Sequence, residues 1–182
     1  MARVFLGLGS NLGDRLAALR AAVSQLRGSA EIRFVAASSL YETEPWERPP
    51  GHAYAGEGWY LNCAVEIETA LPPDQLLDRL QQVEGELGRT HGAGTPEAQR
   101  FAPRTLDIDI LLYADRVVSV PDRLQIPHLL LHERAFVLRP LAELAPQVEH
   151  PILYRTMREL LDDVEDEHDV APGPYPVRWF ED

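Results

Sequence analysis

The stretch Leu106-Asp-Ile-Asp-Ile-Leu-Leu-Tyr113 places two carboxylates, Asp107 and Asp109, inside an otherwise apolar run, and this restricts the fold more than any other feature. The run has the length and Ile/Leu content of a β-strand, bounded by Pro103 and by Ala114-Asp115. Side chains alternate across a strand, so both acids share one face, about 7 Å apart, and Leu106, Ile108 and Ile110 share the other. Such a strand belongs in an antiparallel sheet with one face packed and the other open. Acids this close repel unless something positive sits between them. Oxygen ligands on a rigid strand suit Mg²⁺, which takes one or two protein carboxylates and fills its other positions with water and substrate phosphates. The plainer alternative is an exposed strand face with two solvated acids.

Elsewhere the pattern alternates between strand and helix. Arg3–Leu8 is a short apolar strand, Gly9-Ser-Asn-Leu-Gly13 a turn, and Asp14 an N-cap for a helix to about Leu26, closed by Gly28. Its apolar face carries Leu16, Leu19, Ala22, Val23 and Leu26. Ile32–Tyr41 reads as the second strand, residues 44–59 as a long loop, and Tyr60–Glu68 as the third strand, alternating over its second half. Pro72-Pro73 opens a second amphipathic helix bearing Leu76, Leu80, Val83 and Glu84, and Gly88 closes it. A loop over 89–103 leads to the aspartate strand, and Val117–Val120 is expected to pair with it. The order strand, helix, strand, strand, helix, strand is that of two split βαβ units, an α+β ferredoxin-like βαββαβ core. An added C-terminal hairpin and short helices over 134–144 and 156–161 follow, and the acidic run Asp162–Asp169 is expected to be solvated.

Composition narrows the function. With 182 residues, a single domain is favoured. The formal net charge of −12 argues against a protein that grips nucleic acid. All 17 basic residues are arginine, which removes the phosphate-binding lysine of P-loops and kinases and any Schiff-base mechanism. No apolar stretch reaches membrane-spanning length, and the single Cys63 excludes an internal disulfide, so a cytoplasmic setting is expected.

The motifs divide unevenly. Gly7-Leu-Gly-Ser-Asn-Leu-Gly13 departs from the dinucleotide spacing, and its glycines are read as serving a tight strand-to-helix turn. Arg100 and Arg104 flank the acidic strand, and Arg89 lies across the loop; arginine forks bind phosphate, though any single loop arginine can simply be solvated. His128 and His132 are four apart, but Pro127 and the lack of a third soft ligand weigh against a shared metal. Cys63 reads as a packed core thiol.

Five ordered segments resemble the 6-hydroxymethyl-7,8-dihydropterin pyrophosphokinase family of folate biosynthesis: 7–13, Tyr41-Glu-Thr-Glu-Pro45, Tyr60-Leu-Asn62, Pro103-Arg-Thr-Leu-Asp-Ile-Asp109, and Ile126-Pro-His128 with Arg134-Ala-Phe136. The resemblance implies transfer of pyrophosphate from ATP to the pterin hydroxymethyl group, releasing AMP, by a single domain over 1–161 with an acidic tail over 162–182. It implies that Asp107 and Asp109 hold two Mg²⁺ ions and act in catalysis with Arg89 and Arg104. Tyr60 and Phe136 would sandwich the pterin, with Asn62 and Thr43 reading its polar edge and Pro45 and Trp46 beside them. Glu84, Arg100, Phe101, Arg104, Ile110, Arg123, His128 and Arg134 would face ATP. Phosphoryl transfer rests mainly on positioning and charge neutralisation, so no protein base need be legible. A monomer binding ATP and the pterin, with no nucleic acid or membrane partner, is the expected form. The resemblance has departures: residues 90–99 lack arginine, and Glu47 and Ala102 replace common glycines. A palm-like two-metal nucleotidyltransferase and a non-enzymatic small-molecule-binding regulatory domain are the alternatives.

Overall fold

In the computed structural model, residues 1–46, 58–88 and 105–181 are described. Strand β1 (Ala2–Ser10) leads into helix α1 (Arg15–Gly28), whose first turn is capped by the Asp14 carboxylate accepting from the Ala17 N–H at 2.9 Å. Strands β2 (Ile32–Ala37), β3 (Tyr41–Thr43) and β4 (Tyr60–Thr69) follow, then helix α2 (Pro73–Glu86) and β5 (Asp107–Tyr113). A two-stranded β6 (Val118–Val120) and β7 (Leu124–Ile126) precedes helices α3 (Ala135–Leu144) and α4 (Met157–Asp163), and β8 (Val170–Pro172) comes last. The main sheet is antiparallel throughout, in the order β5-β1-β4-β3-β8, with β2 also paired to β4. This is the expected ferredoxin-like arrangement, with its second strand divided in two.

Strand parity decides which residues meet. Val4, Leu6 and Leu8 of β1, Cys63, Val65 and Ile67 of β4, and Ile108 and Ile110 of β5 turn to one face. There they pack on Leu19, Val23 and Leu26 of α1 and on Leu76, Leu80 and Val83 of α2. Burying these apolar side chains is the main stabilising term, at about 1.5–3 kcal/mol for each large one. Burial also pushes the Cys63 thiol well up, as a core residue should behave.

Four expectations need correction. The opposite face is not wholly open: Phe5, Ala64, Leu111 and Leu112 are covered by Val137, Leu138 and Leu141 of α3 and by Met157 and Leu160 of α4. That second layer is why β4 is buried on both sides instead of alternating. The single strand expected over 32–41 breaks at Ser38, whose hydroxyl accepts the Ala64 N–H and whose carbonyl is taken by the Trp179 indole N–H, both at distances below 3 Å. The 118–120 segment pairs with β7 rather than with β5.

The acidic run also departs from a simple solvated tail. Asp162, Asp163, Glu165, Glu167 and Asp169 face water, but the Asp166 side chain is fully buried. Beyond it, β8 joins the sheet alongside β3, with Thr43 opposite Val170. No helix among the described residues is long and apolar enough to cross a membrane.

Candidate active site

A cavity of about 320 Å³ opens on the second face, at the end of the sheet that α3 and α4 leave uncovered. Its floor is β1. Gly7 and Gly9 share the parity of Phe5, and having no side chains they leave space where the neighbouring strands raise polar groups. The glycines therefore serve a strand surface, not the strand-to-helix turn expected for them; only Gly13, at φ +67°, fills a turn role. Alternation with Val4, Leu6 and Leu8 was the signal that could have found them.

Register organises what stands on that floor. Gly9 pairs with Asn62 on one side and with Asp107 on the other, and Gly7 pairs with Ala64 and Asp109. One cross-strand row thus carries an amide and a carboxylate two strand spacings apart, roughly 10 Å. The spacing is uninterrupted because the middle residue is glycine. Asn62 is fixed: it is 8% exposed, and its Nδ2 donates to the Thr43 hydroxyl at 2.7 Å. Arg15 steadies the entry to β4 from α1, donating to the Trp59 carbonyl at 2.9 Å and to Glu42 at 3.1 Å.

The aromatic wall comes from three elements. Tyr60 begins β4, Phe136 lies in the first turn of α3, and Trp46 follows Pro45 beyond β3; all four line the cavity. The Trp46 and Phe136 rings are 6.2 Å apart, and the Arg134 guanidinium lies 5.4 Å and 5.7 Å from their centroids. His128 lines the carboxylate side, positioned by its backbone N–H, which donates to the Leu111 carbonyl at 3.0 Å. Burial, reinforced by nearby Arg134 and opposed by Asp107, pushes its pKa down to about 4, so the imidazole is neutral at physiological pH. Asp107 is half-buried and Asp109 exposed, both on the cavity side. Their donor set fits a hard cation. Among the described residues no third acid, histidine or cysteine joins them in a cluster, which leaves further positions to water or a ligand.

Three residues expected to face ATP do not line this cavity. Glu84 is 2% exposed beneath the sheet, and its carboxylate accepts the Ile108 N–H at 2.7 Å, fixing the start of β5. The Ile110 side chain points into the helix-facing core, as its parity with Ile108 dictates. Arg123 sits in the β6–β7 turn and pairs with Asp78 at 2.7 Å. Arg89, Arg100, Phe101 and Arg104 fall outside the described residues, as do Glu47, Ala102 and most of the two long loops.

The model of the 7,8-dihydro-6-hydroxymethylpterin-pyrophosphokinase (HPPK) family matches residues 5–146. The chain belongs to this family. It is 44% identical over 161 residues to the 2-amino-4-hydroxy-6-hydroxymethyldihydropteridine pyrophosphokinase of Methylorubrum extorquens, covering 88% of this chain and 92% of that protein. The Bacillus subtilis protein of the same name is 43% identical over 80% of this chain and 79% of its own length. A crystal structure of the Plasmodium falciparum HPPK-DHPS triple mutant superposes with a TM-score of 0.64 at 17% identity over 88% of this chain. This chain spans 43% of that longer protein, and at such identity the likeness speaks to fold. The HPPK match contains the whole glycine floor, the Asp107–Asp109 strand and the α3 start, and it ends before α4.

Proposed function

We propose that this chain transfers the pyrophosphoryl group of ATP to the hydroxymethyl group of 6-hydroxymethyl-7,8-dihydropterin. The observation that carries the reading is the row Asp107–Gly9–Asn62, which sets a carboxylate pair and a fixed amide at opposite ends of one glycine-floored cavity. A flat heteroaromatic substrate suits the Asn62 end: Tyr60 and Phe136 offer ring faces, while Asn62 and Thr43 offer hydrogen-bonding groups to its edge. The substrate hydroxymethyl then extends across β1 toward the aspartates.

Asp107 and Asp109 are the residues suited to hold magnesium, which when bound supplies charge neutralisation to the ATP phosphates. The hydroxymethyl oxygen forms a bond to the β-phosphorus, the bond between that phosphorus and the α–β bridging oxygen breaks, and AMP leaves. The hydroxyl proton passes to solvent. The protein's contribution is positioning: the aromatic wall excludes water from the ring and aligns the hydroxymethyl with the phosphate chain, which is where most of the rate in phosphoryl transfer originates. His128, neutral and half-buried, can hydrogen-bond a phosphate oxygen without competing for the cation. Arg134, and the arginines at 89, 100 and 104, supply the remaining positive charge.

Incubating the protein with ATP, Mg²⁺ and the hydroxymethyl pterin should yield AMP and pterin diphosphate in equal amounts, and Asp109→Asn should nearly abolish both without lowering the melting temperature. Pyrophosphate release in place of AMP, or full activity in the variant, would overturn the reading. A cytoplasmic monomer is the form the reading carries, and light scattering on the purified chain checks its mass.

A further inference from the structure

The residues between α4 and β8 make contacts that a solvated tail does not. Helix α3, which presents Phe136 to the cavity, begins at Arg134 with no side-chain cap of its own. Its first N–H, from Ala135, is instead taken by Asp166 Oδ2 at 2.7 Å, from a side chain that is fully buried. A carboxylate at this position satisfies one of the orphan donors of the helix and interacts favourably with its dipole. The second oxygen of Asp166 lies 2.6 Å from His168 Nδ1 and 3.0 Å from the His168 backbone N–H, which orients the imidazole. That ring lies on Trp46, with centroids 4.9 Å apart and planes inclined by 34°. Backbone bonds tie the same stretch to the strand that bears Thr43. The Glu44 N–H donates to the Asp169 carbonyl at 3.0 Å, and the Asp169 N–H returns to the Glu44 carboxylate at 3.2 Å.

Asp166 thus reaches both sides of the aromatic wall, one through the start of α3 and the other through His168 and Trp46. Two side chains outside the region matched by the HPPK family bear on two cavity residues, Phe136 and Trp46. We infer that Asp166 and His168 are positioning residues for the pterin-side wall, His168 acting through Trp46 and Asp166 through the helix that carries Phe136. The inference rests on the assignment of that end of the cavity to the pterin. Its consequence is specific: loosening Trp46 widens the slot for a flat ring but leaves the aspartate end, two strand spacings away, as it was.

The test uses the full chain. His168→Ala should raise the pterin KM fivefold or more while the ATP KM stays within twofold, and His168→Phe, which restores a ring against Trp46, should return the pterin KM to within twofold of the parent. Without substrate, acrylamide should quench the fluorescence of His168→Ala more than that of the parent, and Trp46→Phe should remove the difference. Should His168→Ala be too unstable to assay, His168→Leu against His168→Phe makes the same comparison. Equal rises in both KM values alongside an early melt, failure of Phe to rescue, or a Trp46 signal indifferent to His168 would each overturn the inference. The quenching measurement needs no turnover, so a parent protein inert toward ATP and pterin would sink the pyrophosphokinase reading separately.

Discussion

Substituting Gly9 by alanine tests the cavity floor with a single methyl group. A Cβ at this position would lie 2.5 Å from Asn62 Oδ1 and 3.7 Å from Asn62 Cγ. Heavy atoms do not approach a Cβ under 3.0 Å, so the amide must retreat by about half an ångström. It has little room, because Nδ2 is held by the Thr43 hydroxyl at 2.7 Å and β4 is flanked by β1 and β3. Overpacking of this kind costs about 1–3 kcal/mol, and in a domain of this size each kcal/mol lowers Tm by about 2–4 °C. On the proposed reading this amide meets the pterin edge, so displacing it forfeits a further hydrogen bond, about 1–1.5 kcal/mol, and pterin Kd should rise roughly tenfold. Gly7→Ala is the control. The nearest atoms to its methyl all belong to the Leu111 side chain, Cδ2 at 3.2 Å, Cδ1 at 3.4 Å and Cγ at 3.5 Å, so a shift of a few tenths of an ångström relieves the contact without touching Asn62. Calorimetric titration of pterin, a separate ATP titration and a melting curve on both variants give all the quantities. Pterin affinity within twofold of the parent in Gly9→Ala, or an equal loss in Gly7→Ala, would refute the reasoning.

Three further outcomes are expected. Phe136→Ala removes one ring from the wall and should weaken pterin by tenfold or more, on the scale of about 1–3 kcal/mol for stacking a base-like ring, with ATP affinity little changed; proportional loss of both ligands in titrations would contradict this. Glu84→Ala leaves the buried Ile108 N–H without its acceptor, so urea denaturation should show a loss of about 1–3 kcal/mol or more, and an unchanged midpoint would refute the role given to Glu84. For His128, whose pKa falls to about 4 on folding from an ordinary value of 6.5, the unfolded chain binds more protons between those limits. Stability should therefore climb as pH rises from about 4 to 6.5 and level above, and His128→Gln should flatten part of that slope in melts across the range.

Much of the frame was legible because it obeys local periodicities. The parity of Ile108 and Ile110 against Asp107 and Asp109 survived intact, as did the Asp14 cap and the apolar stripe of α1, since each depends on residues a few positions apart. What was not legible depends on partners far along the chain. Nothing in Ala36-Ala37-Ser38-Ser39 signals a strand break; it arises because Ala64 and Trp179 claim the polar groups of Ser38. Glu84 falls on the apolar stripe of α2, and that its carboxylate would meet the Ile108 N–H there depends on the distant register of β5. Gly7 and Gly9 were misplaced because a glycine-rich string reads as a turn unless strand parity is carried through it. Asp166 sat in a run whose other acids do face water, and local charge density could not single it out.

The bond from the Trp179 indole to the Ser38 carbonyl spans 141 positions, and that from the Arg20 guanidinium to the Trp179 carbonyl spans 159. Together with β1 pairing to β4 and β5, they mean that almost no stabilising contact of the sheet is made between sequence neighbours. Loop-closure entropy must be met before most of these pairings bring any return, so folding should be slow for the chain's size and governed by topology, not by its helices. Trp179 is fully buried at the corner where β2 becomes β3, and its arrival closes a ring that the earlier elements leave ajar. Until β8, a few residues ahead of it, pairs with β3, the outer edge of β3 is an unpaired strand seeking a neighbour, and any neighbour of suitable backbone will do. The molecule is thereby most exposed to wrong association in the interval before its distant residues return to its beginning.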